Sequence, residues 1–212
     1  MAELACEVTG ADAERFAAVP TISLHLRLTE ASGAEVQAVA LRAQVRIEPQ
    51  QRRYTAAEGE RLVELFGESP QWGDSLRPFL WVQVAATVGR FSGAADVDLP
   101  IVCTYDLEVA AAKYLHGLEG GEIPLVLLFS GTVFRTGRHG LVVEPVPWHL
   151  EARYRLPVAV WRDVMDSYFP ESGWLRLPRE TIDALQRFKA RRAVPTWEQA
   201  IEVLLKQAGE DR

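Results

Sequence analysis

Cys103 has the type of side chain most able to act as a nucleophile here, with Asp106 close by in sequence and His116 further on. A cysteine works that way only as an accessible thiolate. Its parity argues against that use. Cys103 alternates in phase with Leu99, Ile101, Tyr105 and Leu107, which aims the sulfur into a core where burial makes a thiol inert. His25, His116, His139 and His149 are never three or four apart, and no Cys-x-x-Cys accompanies them, so no metal site is expected. Asp96, Asp98, Asp106 and Glu108 share one parity. Calcium, however, takes 6–8 oxygens from a loop with a glycine at its sharp turn, and a solvated strand face explains the row better. Gly131, Gly137 and Gly140 flank a hairpin without a phosphate-binding motif. No catalytic residue and no cofactor are assigned.

The basic stretch from Arg187 to Arg192 falls in the last turns of a predicted helix, where cations complement the helix dipole. Arg52 and Arg53 add a smaller patch. With a net charge of −6, neither reads as a nucleic-acid surface. The six tryptophans say more. Trp148, Trp161 and Trp197 sit on apolar parities or stripes and read as core. Trp72, Trp81 and Trp174 fall in a loop, on the less apolar face of a strand and in a link, and are the candidate anchors for a protein partner.

The chain has 212 residues, 48% hydrophobic and 25% charged, which fits one soluble globular domain. No apolar run is long enough to cross a bilayer, and the N-terminus does not read as a signal peptide. Two cysteines give no disulfide framework, so cytoplasmic residence is expected, with no membrane partner.

The elements follow from periodicity. Residues 1–19 read as a loose arm or an added edge segment. Ile22, Leu24, Leu26 and Leu28 alternate with polar residues, as do Val39, Leu41, Ala43, Val45 and Ile47, which predicts two strands paired as a hairpin. Thr55 and Glu58 fit a capping box before a helix carrying Leu62, Leu65 and Phe66, with Gly67 as its stop. Strands are expected at 80–88, with the even residues inward, and at 97–107, then a short helix at 108–118. Pro124 to Phe134 is apolar on both parities and cannot present a wet face. A polar loop at 136–140 leads to a return strand holding Trp148, Leu150, Ala152 and Tyr154, whose start Pro145 and Pro147 place at an edge or bulge. Beyond 156 the period becomes helical, with stripes through Trp161, Val164, Met165 and Tyr168, through Ile182, Leu185 and Phe188, and through Trp197, Ala200, Ile201, Leu204 and Leu205.

The pieces Tyr54 to Gly67, Trp72-Gly73, Leu99 to Asp106, Lys113-Tyr114, Pro124 to Phe134 and Pro157 to Trp161 resemble an uncharacterised, actinobacterial-type family that has only a domain-of-unknown-function label. The resemblance implies a place among accessory genes of nickel–iron hydrogenases, and it brings no catalytic residues.

The expected fold is α+β: an antiparallel sheet or sandwich of about six strands with short interspersed helices and a C-terminal helical cap. Residues 1–19 form the arm, 20–156 the β body and 157–212 helices packed on it, within one domain. The expected function is a non-enzymatic accessory or protein-binding factor, assembly- or chaperone-like. The alternatives are an enzyme or small-ligand carrier, with a pocket between sheet and C-terminal helices lined by Tyr105, Tyr114 and His116, and a structural subunit of a larger assembly, which a self-complementary edge strand would favour; a homo-oligomer is allowed for.

Overall fold

The computed structural model describes residues 3–104, 106, 109–137, 140–170 and 175–209. The chain divides into two compact units, Met1–Gly173 and Trp174–Arg212. The first is α+β. Its strands are β1 (Leu4–Ala13), β2 (Thr21–Glu30), β3 (Val36–Ile47), β4 (Phe79–Val88), β5 (Ala94–Val102), β6 (Glu122–Gly137), β7 (Gly140–Pro145) and β8 (Glu151–Pro157). Its helices are α1 (Ala56–Arg61), α2 (Val63–Phe66), α3 (Trp72–Ser75), α4 (Ala110–Gly117) and α5 (Val158–Tyr168). The second unit contains α6 (Arg179–Arg191) and α7 (Trp197–Ala208).

All strand pairing is antiparallel, in two sheets. One has the order β1-β2-β5, the other β4-β3-β6-β7, with β8 also on β6. β5 lies alongside β4 and β1 alongside β8, so the two sheets approach each other along both margins. Between them sit Ile22, Leu24, Leu26 and Leu28 of β2, Leu99 and Ile101 of β5, Val39, Val45 and Ile47 of β3, and Leu125, Leu127, Phe129 and Val133 of β6, all buried. Burying so many branched aliphatic side chains, at roughly 1.5–3 kcal/mol each, is the main stabilising term.

The hairpin expected between β2 and β3 does not form. The two strands belong to different sheets. Both carry a full row of core side chains, and the chain reverses between them by crossing over the core, so the two rows face each other. The corner is held by Glu30, whose carboxylate accepts from Ser32 Oγ (2.5 Å), Ala34 N (3.1 Å) and Arg135 Nη2 (2.9 Å). The N-terminal segment takes the second of its two expected forms and is the edge strand β1.

A second departure lies in β4. Val45 pairs with Val82 but Arg46 pairs with Leu80, so Trp81 is an extra residue. A bulge reverses which face the following side chains take. Leu80, expected inside, is therefore exposed, while Phe79 and Trp81 turn toward the core.

β6 is the spine. Its first half pairs with β8 (Glu122–Leu128) and its second with β7 (Thr132–Gly137), while β3 runs along its other side. At the changeover Gly131 has φ 143°, and a Cβ there would lie 2.0 Å from Ala40 O, so only glycine fits. The apolar double face read from sequence is real: Leu125 and Leu127 enter the core, and Val126 on the opposite face is also buried.

A second buried ion pair fastens the helical edge. Glu58 caps α1 reciprocally with Thr55, as the capping box predicts. Its Oε1 accepts from Arg52 Nη2 (2.6 Å) and Glu119 N (2.9 Å), and Arg52 also donates to Gly120 O and Glu122 O. Arg52 is thus an internal clamp and not part of a surface basic patch. On the outer face of β1-β2-β5, His25 bridges Asp98 (Nδ1, 2.6 Å) and Asp12 (Nε2, 3.0 Å), and Arg27 grips Asp96 through two hydrogen bonds. The hydrogen bonds His25 donates to Asp98 and then to Asp12 raise its pKa.

The hydrogen bond from Ser32, aided by Arg135 and opposed by burial, holds the Glu30 carboxyl at about 2. A carboxyl depressed on folding stabilises the fold above its unfolded value of 4.5, and that contribution fades as pH falls toward 2. Glu30→Ala takes the close partner from the buried Arg135 and leaves it only Glu144 at 3.6 Å, so it is expected to lower stability by about 3 kcal/mol at pH 7. Its deficit against wild type should shrink as pH falls below 4, and denaturant titrations across pH check both.

Candidate functional site

Chemistry-bearing residues are put to structural use in the first unit. Cys103 is buried with Sγ 3.7 Å from Ile101 O, and burial pushes its thiol up to about 12. Cys6 is pushed to about 12 by the same cause. Asp96 and Asp98 face Arg27 and His25, which hold the two carboxylates as cross-strand ion pairs. Among the described residues no cluster of three or more His, Cys, Asp or Glu is set to hold a metal ion. Tyr105, Glu108, His139 and Trp174 lie outside the described residues.

Trp72 is half-buried. Its Nε1 donates to Gly67 O (2.8 Å) and its ring meets Tyr54 edge-on, with centroids 5.1 Å apart. Phe66 and Phe79 each meet Tyr114 edge-on, Phe66 also meets Trp72 edge-on, and the Tyr54 and Tyr114 hydroxyls are 2.9 Å apart. Tyr114 is thus a core residue. Trp81 is half-buried and, with Cys103, Thr104, Leu115 and Trp161, lines a cavity of about 50 Å³. That volume holds a few water molecules. The Trp161 indole N–H beside it has no hydrogen-bond partner among the described residues. His116 meets Trp161 edge-on at 4.7 Å, and burial lowers its pKa, which favours the neutral ring.

The surface feature that stands out lies where the sequence predicts core. The return from β6 is not one strand. The ladder with β6 runs past Pro145, where Val146 N donates to Gly131 O, and then breaks at a turn closed by Leu150 N donating to Pro147 O before pairing resumes at β8. Trp148 falls in the intervening turn, 93% exposed and edge-on to His149. Upstream, Leu141 is 64%, Val142 40% and Val143 58% exposed. Trp197, also expected in the core, is half exposed at the first turn of α7, with Lys189 Nζ 5.4 Å above its ring.

β7 also presents backbone. Val146 N donates to Gly131 O, and in an antiparallel ladder bonded and non-bonded pairs alternate. Val142 and Glu144 therefore bond to Arg135 and Val133, while the N–H and C=O groups of Leu141 and Val143 point away from β6. The other sheet margins have a neighbour alongside: β1 has β8 and β4 has β5. Edge strands are commonly blunted by charge. Apart from its shortness and Pro145, β7 lacks such protection at its centre. Its signal in the sequence is the run Gly140-Leu-Val-Val, apolar on both parities, followed by Pro-x-Pro.

A family model described as "Family of unknown function (DUF6084)" matches residues 1–212. No curated protein matches the chain. Two solved structures align weakly, each at 8% identity. A beta-glucosidase from Kluyveromyces marxianus has a TM-score of 0.28, covering 73% of this chain, and this chain spans 15% of that one. AggA, the major subunit of aggregative adherence fimbriae type I from Escherichia coli, has a TM-score of 0.27, covering 74% of this chain and 94% of that one. At these scores neither likeness carries an argument.

With both thiols raised to about 12 by burial, folded protein at pH 7.5 is expected to react with a thiol-specific reagent far more slowly than unfolded protein. Rapid labelling of Cys103 in the folded state would show that the sulfur is accessible.

Proposed function

We propose that this chain, which belongs to the DUF6084 family of unknown function, is a non-enzymatic protein-binding factor whose contact segment is Leu141 to Trp148. One observation carries the reading: four large apolar side chains, Leu141, Val142, Val143 and Trp148, are exposed within eight consecutive positions beside an unpaired strand edge. Clustered exposed aliphatic and aromatic groups are the usual make-up of an interface centre, and a tryptophan is a common hot-spot anchor. None of the four contributes to the buried core, so folding does not require their apolar character. The net charge of −6 points to a protein partner over a nucleic acid.

The narrower version, an accessory or assembly factor acting in the cytoplasm on a hydrogenase-type complex, rests on the family resemblance of the sequence pieces. Co-purification of such a complex's subunits is its own test. The small-ligand alternative is favoured by the Trp161 N–H beside the cavity, which has no partner among the described residues.

A photoreactive amino acid at position 148, activated in the native host, is expected to crosslink to one defined polypeptide in high yield. Leu141→Ser with Val143→Ser should abolish that crosslink while changing stability by only about 0.5 kcal/mol per site, because both side chains are exposed. Equal yield from the exposed control position Ser92 would contradict the proposal.

A further inference from the structure

Resting on that reading of the segment, we infer that its occupant is a second copy of the chain: β7 pairs antiparallel with β7 of the partner copy across a twofold axis at Val142. The chemistry of the edge selects this occupant. Leu141 and Val143 direct their free N–H and C=O groups outward with Val142 midway between them. A twofold at Val142 sets Leu141 opposite the other copy's Val143, and each such pair exchanges two backbone hydrogen bonds. Val142 then meets its own copy, and Gly140 meets Glu144, so no like charges are opposed.

The side chains agree with the backbone. Leu141 and Val143 share one face of β7 and Val142 the other, so pairing covers apolar surface on both faces and extends the β4-β3-β6-β7 sheet into a continuous one. The hairpin is held for this role. Arg135, opposite Val142 in the ladder, is fixed by Glu30 and lies 3.6 Å from Glu144. Pro145, at an outward-facing position, limits the pairing to the apolar centre. An edge this short buries well under the roughly 1,600 Å² of a standard interface, so the dimer should dissociate on dilution.

Sedimentation equilibrium on the full chain from about 1 to 500 μM tests this. Wild type is expected to move from the monomer mass toward twice that mass. Val143→Pro removes an N–H that points away from β6, so it leaves the β6–β7 ladder intact while blocking the partner strand. Val142→Lys places two cations face to face on the axis. Each variant should weaken dimerisation about tenfold or more with an unchanged circular dichroism spectrum, and Val142→Lys decides the matter if Val143→Pro does not fold. A wild type that stays monomeric at 500 μM, or dimers that persist unchanged in the folded variants, would overturn the inference. A monomeric wild type whose position 148 still crosslinks to a different polypeptide removes self-pairing and leaves the contact segment standing. A monomer that crosslinks to nothing removes both.

Discussion

Glu30, with its carboxylate wholly shielded from solvent against Arg135, is the interaction on which the first unit's arrangement turns. It sits where the chain leaves one sheet for the other, and it satisfies the backbone and hydroxyl groups of that corner while binding a guanidinium from the far half of β6. A buried pair of this kind contributes definition more than net stability, because desolvation offsets much of the attraction. Here the definition is topological. It keeps consecutive strands in opposite sheets and fixes the β6–β7 hairpin to the β2–β3 corner. Arg52 and Glu58 do the same at the other end of β6, joining the α1 cap to the turn that precedes the strand.

What was legible in the sequence is what depends on near neighbours. The alternation in β2 and β3, the capping box at Thr55 and Glu58, the Gly67 stop, the inward parity of Cys103 and the Trp161, Val164, Met165 stripe of α5 all appear as read. The α+β architecture of antiparallel sheets follows from them. The errors lie where a distant partner decides. Alternation shows that β2 and β3 are strands, but not that each pairs with strands far along the chain. One extra residue at Trp81 is invisible to a parity count, yet it exchanges the faces of Leu80 and Trp81.

The candidate site was missed for a related reason. Trp148 shares parity with Leu150 and Ala152, so a continuous strand would bury it. The turn at 147–150 interrupts the ladder, and the parity argument ends with it. The tryptophans chosen from sequence as anchors fare differently. Trp72 is tied into the aromatic web around Tyr54, and Trp81 lines the small cavity, while Trp174 lies outside the described residues. The polar residues weighed as metal ligands or as a basic patch, His25, Asp96, Asp98 and Arg52, serve in cross-strand or buried ion pairs. Among the described residues, the edge of β7 and the apolar side chains around it have no such internal use.

The central claim is that this edge is presented for pairing, and backbone amide exchange read residue by residue tests it most directly. In dilute protein, Val142 and Glu144 should exchange slowly because their N–H groups bond to β6, while Leu141 and Val143 should exchange quickly. Slow exchange at Leu141 and Val143 in the dilute monomer would show that the edge is already occupied from within the chain and would contradict the account.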